Sequence, residues 1–163
     1  MVRLVPMSEA QFEAYLEHAI ADYAQAHLKA GDCDEGDAMT LAQADYEALL
    51  PEGLSTKGQH LYALHADGEA EPVGMVWFAS RERRGKNSAY IYDLQVRPEL
   101  RGRGYGKATL EALDAMLLGM GNRRVSLNVF GWNTGAKALY ERHGFTVAAI
   151  GMVKDLDGAP RAR

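Results

Sequence analysis

Two arginines, three glycines and a lysine fall within one short stretch, Arg101-Gly102-Arg103-Gly104-Tyr105-Gly106-Lys107. Glycine has no Cβ, so it admits positive φ and lets a ligand come close to the backbone. Downstream, Leu110, Leu113, Leu117 and Met120 recur at helical spacing, so the loop opens a helix. The first N–H groups of a helix have no intrahelical acceptor, and the positive end of its dipole lies there. That combination suits an anion, above all a phosphate group. Arg101, Arg103 and Lys107 add charge around it. The glycines miss the Gly-x-Gly-x-x-Gly spacing, and no Gly-Lys-Ser or Gly-Lys-Thr is present, which excludes two familiar phosphate loops. Taken by itself the stretch also fits a tight turn with cationic decoration.

A second stretch, Leu127-Asn128-Val129-Phe130-Gly131-Trp132-Asn133-Thr134-Gly135-Ala136-Lys137-Ala138-Leu139-Tyr140, bears on that choice. Asn133 and Tyr140 stand about two helical turns apart, on one stripe of one helix. Ala136 keeps that stripe low, as a ligand approaching the backbone requires. The alternative is structural: Asn133 caps and Tyr140 packs.

The elements that position these stretches follow in order. Residues 1–5 suit an opening strand. Ser8 and Gln11 form a capping box, and Phe12, Leu16, Ala19, Ile20 and Tyr23 mark one face of a helix reaching Gly31. The acidic loop Gly31-Asp32-Cys33-Asp34-Glu35-Gly36-Asp37 fails EF-hand spacing and reads as a solvated charge run. A second helix over residues 39–50 stops at Pro51. Strands are expected over 59–66, 72–80 and 90–96, with residues 81–87 as a charged hairpin loop. This meander delivers the chain to the glycine loop. After the long helix, residues 123–130 suit a strand, Asn133 caps a helix through Arg142, and Gly144 ends it. Residues 145–156 are expected to close the sheet with one or two strands, and residues 157–163 to fray. The result is one α/β domain with helices on both faces of a mixed sheet.

Bulk properties narrow the partners. A chain of 163 residues, 47% hydrophobic and 25% charged, has the makeup of one globular domain. A net charge of −4 argues against general nucleic-acid binding. No run suits a membrane span or signal peptide, and the lone Cys33 allows no internal disulfide framework, so the cytoplasm is the expected compartment. The five histidines show no metal-ligand spacing, and an acidic loop would raise rather than lower the Cys33 thiol.

Together the two motifs resemble the GNAT superfamily of N-acetyltransferases. Arg101-Gly102-Arg103-Gly104-Tyr105-Gly106 fits that family's acetyl-CoA loop, Gln/Arg-x-x-Gly-x-Gly/Ala. Asn133, then Ala136-x-x-Leu139-Tyr140-Glu141-x-x-Gly144-Phe145, fits its second signature. The resemblance covers residues 1–156. It implies a single-domain GNAT fold with a mixed, mostly antiparallel sheet of six to seven strands and about four helices on both faces. The implied order is β-α-α-β-β-β-α-β-α-β-β.

The resemblance also implies a chemistry: direct attack of a neutral amine on the acetyl carbonyl of acetyl-CoA, with expulsion of the CoA thiolate and no metal. The pantetheine arm would lie in a slot beside a bulged strand, against Leu94, Gln95 and Val96. The pyrophosphate would rest on the N–H groups of residues 102–107, with Asn128, Asn133 and Ala136 completing the cofactor side. Tyr140 would sit near the sulfur as general acid, and Asp93 would take the amine's proton, with Glu82 and Tyr92 as rivals for that role. The acceptor would be a small-molecule or protein amine, with no nucleic acid and no membrane, and a homodimer is compatible with the family. The alternative from another class is a non-catalytic acyl-CoA-binding or sensing module.

Overall fold

The first long helix begins where the sequence carries its own cap. The Ser8 hydroxyl accepts the Gln11 N–H (3.3 Å) and the Gln11 side chain accepts the Ser8 N–H (2.9 Å), so two otherwise orphaned donors are satisfied reciprocally. Gly31, at φ 74°, ends the same helix in the left-handed conformation. The computed structural model describes residues 1–31, 33–83, 85–154 and 156. The frayed tail expected over 157–163 and Asp32 of the acidic loop lie outside the described residues.

The described chain runs β1 (Val2–Pro6), α1 (Glu9–Ala30), α2 (Ala38–Leu49), β2 (Gln59–Ala66), β3 (Gly74–Arg83), β4 (Lys86–Val96), α3 (Tyr105–Gly119), β5 (Val125–Leu127) and α4 (Thr134–Arg142). Short 3₁₀ turns at Gly53–Ser55 and Pro98–Leu100 join them. The sheet follows sequence order, β1-β2-β3-β4-β5. The first four strands are antiparallel and β5 joins β4 in parallel, which requires the crossover that α3 supplies.

Alternation along the strands makes two cores. Val76, Phe78, Ala89 and Ile91 meet Leu110, Leu113 and Leu117 of α3 on one face. Met75, Trp77 and Leu61 meet Phe12, Tyr15 and Ala19 of α1 and Tyr46 of α2 on the other. Trp77, Phe78, Leu110 and Leu113 are all but fully buried. Each such side chain contributes roughly 2–3 kcal/mol of burial free energy.

Three expectations are corrected. The sheet has five strands among the described residues, not six to seven. Residues 145–154 form no strand, and Val147, Ile150, Met152 and Val153 stand exposed. Their β-branched and apolar character gives β propensity, but a strand exists only where a partner offers a ladder, and β5 is three residues long. The expected hairpin loop 81–87 is also mostly strand. Arg81 pairs with Ser88 and Glu82 with Asn87, and Gly85 takes φ 72°; Arg84, also within the expected loop, lies outside the described residues.

Gly74 stands opposite Val96, where β4 leaves the sheet for the glycine loop, and a Cβ there would lie 2.0 Å from the Gln95 carbonyl oxygen. The neighbour is backbone and cannot rotate away. Gly74→Ala should therefore cost about 2–4 kcal/mol, read as a lower urea midpoint. An unchanged midpoint would mean that β3 and β4 part there freely.

Candidate active site

One extra residue in β4 sets which residues face the opening that β5 leaves in the sheet. Phe78 pairs with Ile91 and Trp77 with Asp93, so Tyr92 is bulged out of the ladder. The consequence can be followed bond by bond. The Met7 N–H bonds to the Leu61 carbonyl and the Ser80 N–H to the Gly58 carbonyl, which fixes the alternation across the meander. Met75, Trp77 and Ala79 then turn their backbone groups toward β4, where Gln95, Asp93 and Tyr90 answer them. Before the bulge, Ala89 and Ile91 face β5, and the Ala89 N–H bonds to the Arg124 carbonyl at 2.8 Å. After it, Leu94 and Val96 face that side instead. β5 ends at Leu127, opposite Ile91, so the main chain of Leu94 and Val96 opens onto a slot. The Val96 carbonyl already accepts the Arg101 Nε–H (3.0 Å).

The slot widens into a cleft of about 1190 Å³. Asp93, Leu94, Gln95 and Val96 form its floor, and the glycine loop forms one end through Arg101, Gly102, Gly104, Tyr105, Gly106 and Lys107. Gly102 and Gly104 have φ of 77° and 86°, and nothing lies within 4 Å of where a Cβ would stand on either. Gly104 is also the N-cap of α3 and leaves that helix without a side-chain cap, unlike α1 and α4. The first N–H groups of α3 are thus free of any capping side chain, in an open cradle that fits a phosphate. Gly106 serves differently: a Cβ there would come within 2.9 Å of Leu139 Cδ2, so this glycine lets α3 and α4 pack closely.

Asn133 and Ala136 of α4 line the facing wall. The Asn133 Oδ1 caps α4 by accepting the Ala136 N–H (3.2 Å), which leaves the amide N–H groups of Asn133 for a ligand. Three expected site residues are not in the lining. Arg103 turns to Glu69 (3.7 Å), which also accepts the Tyr105 hydroxyl (2.9 Å). Asn128 lies beside Tyr90, where its polar groups oppose the rise that burial imposes on that phenol. Tyr140, on α4, is half-buried against the α3-side core, edge-on to Phe145 at 5.5 Å. Burial, and after it the Asp93 charge, push its phenol up to about 12, so it keeps its proton through the working range.

Asp93 lies where floor and far wall meet. Its Oδ2 accepts the Tyr15 hydroxyl (2.9 Å) and the Gln95 Nε2–H (2.8 Å). Burial pushes its carboxyl up to about 6, against the opposing effect of the bonds from Tyr15, Gln95 and the Leu94 backbone. Of its rivals, Glu82 is exposed within β3, and Tyr92 accepts an Arg81 guanidinium hydrogen (2.6 Å) while stacking on Trp77 at 4.5 Å.

The residues of the far wall were not singled out as site residues. Ala19, Asp22, Tyr23 and Ala26 of α1 supply it with Tyr46 of α2, facing Phe130 and Trp132. Their spacing along α1 is helical and two are alanines, a stripe kept low toward a cavity. That stripe is a signal the sequence does carry. Among the described residues there is no group of three or more His, Cys, Asp or Glu that could hold a metal ion, and no helix long and apolar enough to cross a membrane.

Comparison with known proteins agrees with this geometry. The family model "Acetyltransferase (GNAT) family" matches residues 14–145. The uncharacterized N-acetyltransferase YycN of Bacillus subtilis (strain 168) is 37% identical over 155 residues, which is 95% of this chain and 99% of that protein. The uncharacterized N-acetyltransferase YdgE of the same organism is 27% identical over 153 residues, 94% of this chain and 97% of its own. The crystal structure of YycN superposes with a TM-score of 0.91 at 36% identity, covering 96% of this chain and 99% of that one.

The buried carboxyl has a stability consequence whose sign is fixed. Its folded pKa, about 6, lies above the ordinary aspartate value near 4. Its contribution is therefore fully present below about pH 4 and is lost as pH rises through about 6. Asp93→Asn should stabilise the fold at pH 8 by about 2–3 kcal/mol, with the gain vanishing near pH 4. Urea unfolding at the two pH values checks this. A variant less stable at pH 8 would show that the carboxylate is not held against burial.

Proposed function

The chain belongs to the acetyltransferase (GNAT) family, and from that premise we propose that it is an acetyl-CoA-dependent N-acetyltransferase acting on a primary amine by direct attack. The observation that carries this reading is the phase change at Tyr92. It turns the main chain of Leu94 and Val96 into a slot that runs to an uncapped helix N-terminus. Acetyl-CoA, as a substrate, brings an activated thioester. Its pantetheine amides suit the backbone of Leu94 and Val96, which would receive them as an added strand. Its pyrophosphate suits the N–H groups of residues 102–107, with Arg101 and Lys107 beside them.

In this reading the chain's own residues handle two protons. Asp93, ionised above about pH 6, takes one from the incoming ammonium, directly or through water, and leaves the amine lone pair free to attack. A backbone N–H of the bulged segment polarises the acetyl oxygen. Tyr140 donates a proton to the departing thiolate, a role supported by its retained proton and by its place one turn after Ala136, which lines the cleft; its hydroxyl must turn into the cleft, whose lining it does not form, to reach the sulfur. Asn133 orients the donor from α4. The acceptor enters from the wall of α1 and α2, where Asp22 and the rings of Tyr23 and Tyr46 suit a cationic amine.

Tyr140→Phe tests the assignment. Acetyl-CoA and CoA should still raise the unfolding temperature of the variant, while turnover on an amine panel, followed as thiol release, falls roughly 10–100-fold. Undiminished turnover would remove Tyr140 from the chemistry. If neither acetyl-CoA nor CoA shifts wild-type unfolding at millimolar concentration, or if ATP does so instead, the acetyltransferase reading fails.

A further inference from the structure

The proposed base is held from behind the cleft wall. Asp93 lines the cleft, whereas Tyr15, which donates to it at 2.9 Å, is only 8% exposed and does not. Gln95 donates to the same oxygen at 2.8 Å. Both side-chain donors therefore converge on Oδ2, leaving Oδ1 as the oxygen without a side-chain donor. The Tyr15 oxygen lies 3.4 Å from the Tyr46 hydroxyl. Tyr15 has one hydrogen and it is committed to Asp93, so in this second bond Tyr46 must be the donor. We propose that Tyr15, assisted by Gln95, is the positioning residue of the reaction: it clamps Oδ2 of Asp93 from the α1 side and so presents Oδ1 to the acceptor amine. This rests on the reading of Asp93 as base.

The electrostatic setting supports the clamp. The groups that bear on Asp93 are Tyr15 and Asp22 from α1, Tyr46 from α2, Tyr92 and Gln95 from β4 and Tyr140 from α4. Burial and, less, Asp22 work against the carboxylate, while Tyr15, Gln95 and the Leu94 backbone work for it. The cations of the cleft belong elsewhere, Arg101 and Lys107 to the glycine loop and Arg142 to the end of α4. Burial and the Asp93 charge raise the Tyr15 phenol well above the ordinary tyrosine range, so it remains a donor at every working pH. In the proton step, R–NH₃⁺ and the Asp93 carboxylate become R–NH₂ and the carboxylic acid, and the proton later returns to solvent. A donor fixed on Oδ2 favours the carboxylate and opposes its protonation, so removing that donor must move the titration upward.

The experiment is the pH profile of kcat/KM for the amine at saturating acetyl-CoA, measured for wild type, Tyr15→Phe, Gln95→Met and Asp93→Asn. Acetyl-CoA-dependent thermal shift serves as the folding check for each. In wild type the acid limb is expected near pH 6. Tyr15→Phe should move it upward by about one pH unit and lower the plateau about tenfold, with the KM for acetyl-CoA unchanged. Gln95→Met removes the other donor and should move the limb in the same direction, which keeps the test decisive if Tyr15→Phe does not fold. Asp93→Asn should abolish the limb. If Asp93→Asn abolishes it but neither donor variant moves it, the clamp is wrong and the base stands. If Asp93→Asn keeps the wild-type limb and rate, both base and clamp fall, while thiol release would still uphold the acetyltransferase reading.

Discussion

A single extra residue in β4 is the constraint on which the site depends. A β-ladder has period two, so inserting one residue reverses every later choice of direction along the strand. Before Tyr92 the backbone of β4 serves β5. After it, the backbone of Leu94 and Val96 is turned toward the place β5 has already vacated. The same insertion puts the side chains of two neighbours, Tyr92 and Asp93, on the α1/α2 face, where one stacks on Trp77 and the other meets Tyr15. The insertion therefore sets at once which residues turn their backbone to the slot and which side chains meet the helices. A regular strand would place only one of the two neighbours, Tyr92 or Asp93, on that face.

Such an arrangement sets stability against chemistry. A carboxyl moved toward pKa 6 by burial is better placed to take a proton from an amine than an ordinary aspartate, but its charged form is costly to house. The fold offsets that cost locally, with donors from α1 and β4, rather than with a cation. A fixed Lys or Arg beside Asp93 would stabilise the charge more and make the carboxylate less basic. Neutral donors are a compromise that leaves the group titrating near neutrality.

What the sequence disclosed follows from how each feature is made. The boundaries of α1, the strand at Gln59–Ala66 and the Asn133 cap rest on neighbours in the chain, and those were legible. Two motifs marked the glycine loop and α4 because backbone geometry demands particular residues there, above all glycines at positive φ. Pairing was less legible. Residues 145–154 have the composition of a strand and no ladder, and the loop expected at 81–87 is largely paired, because partners are chosen in space. The orientation of Arg103 and Asn128 depends on Glu69 and Tyr90, each far away in sequence. Tyr15 was invisible for the same reason: 78 positions separate it from the carboxylate it holds.

The two ends of the cleft therefore obey different rules. One end is built from main chain, with a bulge, glycines and an uncapped helix. The other is built from side chains of α1 and α2 packed over that frame. Changing Asp22, Tyr23 or Tyr46 alters charge and shape along that wall without touching a backbone hydrogen bond of β4. A frame can therefore be shared closely, as with YycN at a TM-score of 0.91 and 36% identity, while the side chains of the wall are free to differ. The slot follows from main-chain geometry, whereas the wall opposite is written in the side chains of Ala19, Asp22, Tyr23 and Ala26 of α1 and Tyr46 of α2. From behind that wall one buried hydroxyl, that of Tyr15, reaches the Asp93 carboxylate.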